Sequence, residues 1–173
     1  MPFTIRPARD GDAPLLPAVE HSAAQAFLSC EGLQWIASDD GLSPEQHRAF
    51  ISAGCAWVVV DEQDQPLGFL CGQACGEEWH IVELSVAQAL QGQGQGRRLI
   101  AAAAAWARAQ GFVALTLTTF AKVPWNAPFY ARLGFEQLSA QQCSDFLRRQ
   151  LAAEHAHGLS DRCAMRLVLQ GAA

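Results

Sequence analysis

A chain of 173 residues fits one domain, because domains usually hold roughly 100 to 200 residues before they begin to split. Hydrophobic residues make up 50% and charged residues 17%, which supplies a core and excludes a disordered chain. A net charge of −5 with only 12 scattered Lys and Arg argues against a nucleic-acid partner, since phosphate binding needs clustered cations.

The six cysteines, Cys30, Cys55, Cys71, Cys75, Cys143 and Cys163, form no CxxC pair and mostly sit in apolar runs, which reads as buried free thiols. The opening residues Met1 to Pro7 reach charge too early for a signal peptide. The longest apolar stretch, Leu99 to Ala107, is about half of the roughly 20 residues a membrane span requires. The expectation is a soluble cytoplasmic protein with no membrane partner.

Phe3 to Arg6 alternates as a short strand, and Asp10 to Asp12 caps an apolar-periodic helix from Ala13 to about Phe27. Ser43-Pro44-Glu45-Gln46 has the order of a helix start and predicts a second helix to Ala53, stopped by Gly54. Cys55 to Asp61 and Leu67 to Cys75 read as a hairpin, followed by a strand from Trp79 to Val86. A helix from Gln95 to Gln110, rich in alanine, stops at Gly111. Beyond it come a β-branched strand from Val113 to Thr119, a short helix from Ala127 to Leu133 and a strand starting at Phe135. An amphipathic helix from Ser144 to His157 and a last strand from Ala164 to Leu169 complete the order. A strand-helix-strand crossover among hairpins makes an α+β chain with a mixed sheet.

The chemistry concentrates where the strand ending Glu83-Leu84-Ser85-Val86 meets the segment Gln91-Gly92-Gln93-Gly94-Gln95-Gly96-Arg97-Arg98. Such a turn collects main-chain N–H groups, and at a helix start those donors and the dipole favour an anion. Arg97 and Arg98 put positive charge into a first turn that prefers acids, a conflict that a bound diphosphate removes. The dinucleotide fingerprint GxGxxG fails at Arg97, and the triphosphate loop fails for want of a closing Gly-Lys-Ser/Thr.

What matches is QxxGxG over Gln91 to Gly96, and here the chain resembles the GNAT superfamily of acetyl-CoA-dependent N-acetyltransferases. The resemblance implies a central mixed, mostly antiparallel twisted sheet flanked by helices, with a splayed strand pair binding acetyl-CoA. It implies that the loop of Gln91, Gly92, Gln93, Gly94, Gln95 and Gly96, with Arg97, holds the CoA pyrophosphate, while the backbone of Leu84, Ser85 and Val86 pairs with the pantetheine arm. The stretch Asn126-Ala127-Pro128-Phe129-Tyr130-Ala131-Arg132-Leu133-Gly134-Phe135 is similar to the family's helix ending in Tyr-x-x-x-Gly-Phe. That similarity assigns to Tyr130, the only tyrosine, protonation of the departing thiolate. Val123 stands where many members carry an Asn, which leaves Asn126 as the candidate for that CoA contact. Arg162 to Leu167 resembles the family's final strand, so the likeness runs from about Phe3 to Leu169.

A free alkyl amine, with a reference pKa of about 10.4, arrives as an ammonium ion and must lose a proton before it attacks a thioester. Glu83 is the candidate base, directly or through water, and shares a strand face with Ser85 by period-two alternation. Pairing with an arginine or exposure to solvent is the bland alternative for Glu83. His80 falls on the opposite face and reads as structural. The carbonyl oxygen would be polarised by a main-chain N–H near Val86, as the resemblance implies.

The acceptor is expected to be a primary amine of a small molecule; a protein or peptide amine, or a non-catalytic acetyl-CoA sensor, are the alternatives. Trp125 and Trp35 are the candidate acceptor-binding aromatics, and the acidic balance favours a cation. The resemblance also places the segment Ser29 to Leu42, with Asp39 and Asp40, at the acceptor wall. His155 and His157 beside Glu154 face different sides of a helix, so no metal is expected. A terminal strand exposed at a sheet edge leaves a homodimer open.

Overall fold

The computed structural model describes residues 2–170. The strands are β1 (Thr4–Pro7), β2 (Ala56–Val60), β3 (Pro66–Cys75), β4 (Glu78–Val86), β5 (Ala114–Phe120), β6 (Glu136–Gln137) and β7 (Arg162–Val168). The helices are α1 (Leu16–Ala24), α2 (Pro44–Ser52), α3 (Gln95–Ala109), α4 (Ala127–Arg132) and α5 (Asp145–Ala156). The strands form one open mixed sheet in the order β1-β2-β3-β4-β5-β7-β6. The β4–β5 ladder is parallel and runs from Glu78↔Ala114 to His80↔Thr116, where it stops, as expected of a splayed pair. By its internal contacts the chain divides into two compact units: the residues up to Gln73 with Ile81–Ala105, and Ala74–His80 with the residues from Trp106 onward.

In the first unit, β1, β2 and β3 pair antiparallel, and Ala56, Val58 and Val60 of β2 join Phe69 and Cys71 of β3 in a core under Leu16 and Val19 of α1. Gly68 lets β3 close on both neighbours, since a Cβ there would sit 2.8 Å from Val59 Cγ1 and 3.0 Å from the Ser85 carbonyl oxygen. The expected helix from Ala13 to Phe27 is divided: a 3-10 turn over Asp10–Leu15, then α1, then a second 3-10 turn over Gln25–Ser29. Pro14 and Pro17 supply no N–H to a continuous ladder, so the α-helix starts only where Pro17 falls in its first turn. α2 begins as the sequence predicts: Gln46 N–H donates to Ser43 Oγ at 3.2 Å and Ser43 N–H donates to Gln46 Oε1 at 2.8 Å.

In the second unit β5 pairs antiparallel with β7 along its whole length, and α5 lays Leu147 on Cys143 and Ala164. The terminal strand is not at the edge, because β6 pairs outside it at Arg166 and Met165. The strand expected from Phe135 is only the two residues of β6, Phe135 itself being buried. Trp79, fully buried, meets Trp106 edge-on at 5.6 Å. All six cysteines are free, and Cys71, Cys143 and Cys163 are buried.

Two histidines are buried neutral. His80 shares a 2.9 Å hydrogen bond between Nδ1 and Thr116 Oγ1, stacks edge-on with Phe146, and is pushed down to about 4 by burial. His47 of α2 lies edge-on against Phe69, its Nε2 has no hydrogen-bond partner among the described residues, and burial lowers its pKa. The unfolded chain binds these protons near pH 6.5, so stability is whole above that pH and falls as pH drops from about 6.5 toward the folded values. Urea denaturation should show a midpoint that declines between pH 7 and pH 4.5, and less steeply in His47→Leu. A midpoint unchanged across that window would contradict the assignment.

Candidate active site

The sequence-predicted site residues of the first unit lie at the end of β4 and in the turn that follows. Glu83 is half-buried and Ser85 is buried, and the Ser85 hydroxyl donates to Glu83 Oε1 at 3.2 Å. The two residues therefore share a face, as alternation requires. The Cys71 thiol is pushed well up, first by burial and then by the negative charges of Glu83 and Glu20, so it is a neutral neighbour of the Glu83 carboxylate.

The chain leaves β4 by a fixed route. Ala87 N–H donates to the Leu67 carbonyl at 2.8 Å and Gln88 N–H to Ser22 Oγ at 3.0 Å. A single 3-10 turn over Gln88–Leu90 buries Leu90. The side chains of the glycine-rich turn are then spent on holding it. Gln91 Nε2 donates to the carbonyls of Val86 at 3.0 Å and Ala23 at 3.3 Å, and Gln93 Nε2 to that of Ala89 at 3.2 Å. Gln95 is buried, and its Oε1 accepts from Arg98, whose guanidinium also donates to the Phe3 carbonyl at 3.0 Å.

Gly92 and Gly94 take φ of +77° and +82°, with open space where a Cβ would stand. Glycine is therefore required there by the backbone angle rather than by crowding. The consequence is a run of main-chain N–H groups, residues 92–97, that donate to no acceptor among the described residues. Arg97 is exposed beside them and forms no ion pair among the described residues, whereas Arg98 is structural. Six N–H groups of this kind are not left unmet in a folded chain without water or an anion to meet them.

In the second unit α4 carries the tyrosine. Gly134, at φ +101°, turns the chain so that Phe135 N–H donates to the Tyr130 carbonyl at 3.1 Å. The half-buried Tyr130 ring is thereby held edge-on by Phe129 at 5.1 Å and Phe135 at 5.6 Å. Asn126 precedes the helix with its Oδ1 accepting from Thr119 Oγ1 at 2.9 Å, which fixes the carboxamide and leaves its amide nitrogen to donate elsewhere. Val123 is buried. Trp125 and Trp35 are each 39% exposed, unlike the core tryptophans Trp57 and Trp79. Glu154 is committed to Thr118, Gln150 and Arg162, which separates it from His155 and His157.

The motifs do not single out Glu20. This α1 carboxylate is half-buried, its Oε1 accepts Leu42 N–H at 3.1 Å, and it occupies the space a Cβ at Gly41 would need. Burial raises its pKa, and the like charge of Asp39 adds to the rise. The sequence signal is a lone acid within the apolar run between Asp12 and Glu31.

A mixed sheet with one parallel ladder, followed by an N–H-lined turn into a helix, is the frame that carries the candidate residues. The chain belongs to the acetyltransferase (GNAT) family, whose model matches residues 20–135, and it is an acetyltransferase. Its fold is similar to that of N-acetylglutamate synthase from Neisseria gonorrhoeae complexed with coenzyme A and N-acetyl-glutamate, at 18% identity and a TM-score of 0.72. That match takes in 98% of this chain and 36% of the other, so this chain spans about a third of the synthase's length. The PaiA N-acetyltransferase from Thermoplasma acidophilum in complex with coenzyme A matches at 15% identity and TM-score 0.70, covering 97% and 99% of the two chains. The ribosomal-protein-S18-alanine N-acetyltransferase from Escherichia coli matches at 16% identity and TM-score 0.70, covering 99% and 97%.

Because Gln91 ties both α1 and β4 to the turn, Gln91→Ala should remove two hydrogen bonds and cost about 1 to 2 kcal/mol of stability. Equilibrium urea denaturation checks this, and an unchanged midpoint would show that the turn is held by its backbone alone.

Proposed function

We propose that the protein transfers an acetyl group from acetyl-CoA directly to a primary amine of a small molecule. The observation that carries this reading is the run of uncommitted N–H donors at residues 92–97, next to Arg97, at the start of α3. A pyrophosphate is the ligand of matching charge and size, and the donors and helix dipole act together on it. In this reading Gln91 to Gly96 and Arg97 grip the pyrophosphate, Leu84 to Val86 pair with the pantetheine arm, and Asn126 donates to CoA. Two of the similar structures were determined with coenzyme A, which supports the choice of ligand. Free thiols at all six cysteines suit a reducing, cytoplasmic setting.

Glu83 removes a proton from the acceptor ammonium, directly or through water. The neutral nitrogen attacks the thioester carbonyl, a main-chain N–H near Val86 stabilises the oxyanion, the C–S bond breaks as Tyr130 gives its proton to the leaving sulfur, and the proton that the nitrogen sheds as the amide forms passes through water to restore Tyr130. Ser85, hydrogen-bonded to Glu83, fixes the carboxylate. Trp125 and Trp35 offer aromatic surface to the acceptor. No covalent enzyme intermediate is needed, since holding both substrates together supplies a large entropic share of the rate.

Tyr130→Phe should lower kcat about a hundredfold while leaving acetyl-CoA affinity nearly unchanged, as read by thiol release and by calorimetry. Equal kcat in the two proteins, with chemistry rate-limiting, would remove the acid role. In Glu83→Gln only amine already neutral in solution reacts, so the pH optimum should move up toward the amine pKa of about 10.4. A superimposable pH profile would assign the base elsewhere. Absence of any acetyl-CoA binding to the wild-type chain would overturn the whole reading.

A further inference from the structure

The threonines of β5 each give their hydroxyl to a different partner. Thr116 Oγ1 lies 2.9 Å from His80 Nδ1, Thr118 Oγ1 donates to Glu154 Oε2 at 2.6 Å, and Thr119 Oγ1 donates to Asn126 Oδ1 at 2.9 Å. By alternation Thr116 and Thr118 share one face of the strand, and Thr119 lies on the other with Leu115 and Leu117. Across the ladder that second face continues through Leu167, Met165 and Cys163 of β7. Thr119, 5% exposed, therefore sets a hydroxyl into an otherwise apolar face. Valine has the same shape, and a buried hydroxyl is unfavourable unless it is hydrogen-bonded, so the bond to Asn126 is what justifies threonine here.

That bond has a direction. Thr119 Oγ1 has no second partner among the described residues. If the carboxamide were turned over, its nitrogen would donate to Thr119 and the hydroxyl hydrogen would be left buried with no acceptor, a worse outcome than an unfilled lone pair. The anchor is also fixed independently of Asn126. β5 stays paired with β7 as far as Phe120↔Arg162, and the Arg162 guanidinium sits 4.6 Å from the Phe120 ring centroid and donates to the Thr118 carbonyl at 3.3 Å. Ala121 N–H donates to the Asp161 carbonyl at 2.8 Å. The Asn126 main chain is placed as well, its N–H donating to the Val123 carbonyl at 2.9 Å and its carbonyl accepting Tyr130 N–H at 3.1 Å. What remains is the terminal amide torsion, which by itself is broad and twofold. The helix does not claim the side-chain oxygen: Asn126 makes no capping bond, and Pro128, the second residue of α4, has no N–H to offer.

We propose that Thr119 is a positioning residue for acetyl-CoA: its hydroxyl holds the Asn126 oxygen, so that the amide nitrogen, which meets no acceptor among the described residues, presents its hydrogens to an oxygen of the cofactor. The inference rests on the reading of Asn126 as a CoA donor above and adds the residue that sets the polarity of that contact. Being buried, Thr119 acts through Asn126 rather than on the cofactor. Setting the torsion before the ligand arrives removes an ordering cost from binding, and it makes the Asn126 contact selective for an acceptor atom.

The test is a double-mutant cycle on the full chain, with acetyl-CoA titrated by calorimetry and urea denaturation run alongside to confirm folding. Thr119→Val keeps the shape and removes the hydroxyl, and should weaken acetyl-CoA binding about fivefold. Thr119→Ser keeps the hydroxyl and should retain wild-type affinity. Asn126→Ala should weaken binding at least as much as Thr119→Val, and combining the two should cost nothing further. Asn126→Asp still accepts from Thr119 but has no hydrogen to donate, so it should bind no better than Asn126→Ala, a comparison that stands even if Thr119→Val does not fold. A hydroxyl that merely supports the fold would instead weaken binding equally with and without Asn126. That result, wild-type affinity in Thr119→Val beside a weakened Asn126→Ala, or wild-type affinity in Asn126→Asp would overturn the inference and leave the acetyltransferase assignment intact. Wild-type affinity in Asn126→Ala would remove both the inference and the CoA contact on which it rests.

Discussion

The structure turns on the spending of side chains so that main chain is left over. In the turn after β4, Gln91, Gln93 and Gln95 all point their amides back into the protein, onto Val86, Ala23, Ala89 and Arg98. Glycines between them take left-handed angles that other residues rarely adopt. The result is an edge of N–H groups supported by side chains and capped by no acceptor among the described residues. A ligand that meets this edge pays little ordering entropy, because the protein has already been ordered by its own glutamines.

The same division of labour explains the two arginines at the start of α3. Placed in a first turn they oppose the helix dipole. Arg98 escapes by folding onto the Phe3 carbonyl and Gln95, becoming part of the first unit's framework. Arg97 does not, and its exposed charge is balanced only when an anion is present. An equivalent tension with the opposite sign runs through the Glu20 and Asp39 region, where carboxylates outnumber cations. In the proposed reading the first conflict suits the phosphate end of acetyl-CoA and the second suits a cationic acceptor.

Tyr130 and Glu83, the proposed acid and base, illustrate two ways of fixing a side chain. The tyrosine is held by packing, its ring between Phe129 and Phe135, with Gly134 making the reversal that brings Phe135 back. The glutamate is held by polarity, through the Ser85 hydroxyl, with a buried neutral thiol nearby. Glu154 of the second unit is satisfied instead within a network of Thr118, Gln150 and Arg162.

The amino-acid sequence by itself determined the local events: the Ser43 capping box, the strands before and after the glycine-rich turn, the long alanine helix ended by Gly111, and the Tyr-x-x-x-Gly-Phe reversal. Each depends on a few adjacent residues, through capping, φ restriction or alternation, and so is legible without partners. The tertiary structure decided what those residues touch. It divided the first helix at its prolines, moved the last strand inside β6, sent Gln91 to Ala23 across 68 positions of chain, and set Glu20 under the Gly41 turn. Contacts of that kind join residues far apart in the chain, where no local periodicity records them, and they depend on which groups burial leaves unpaired.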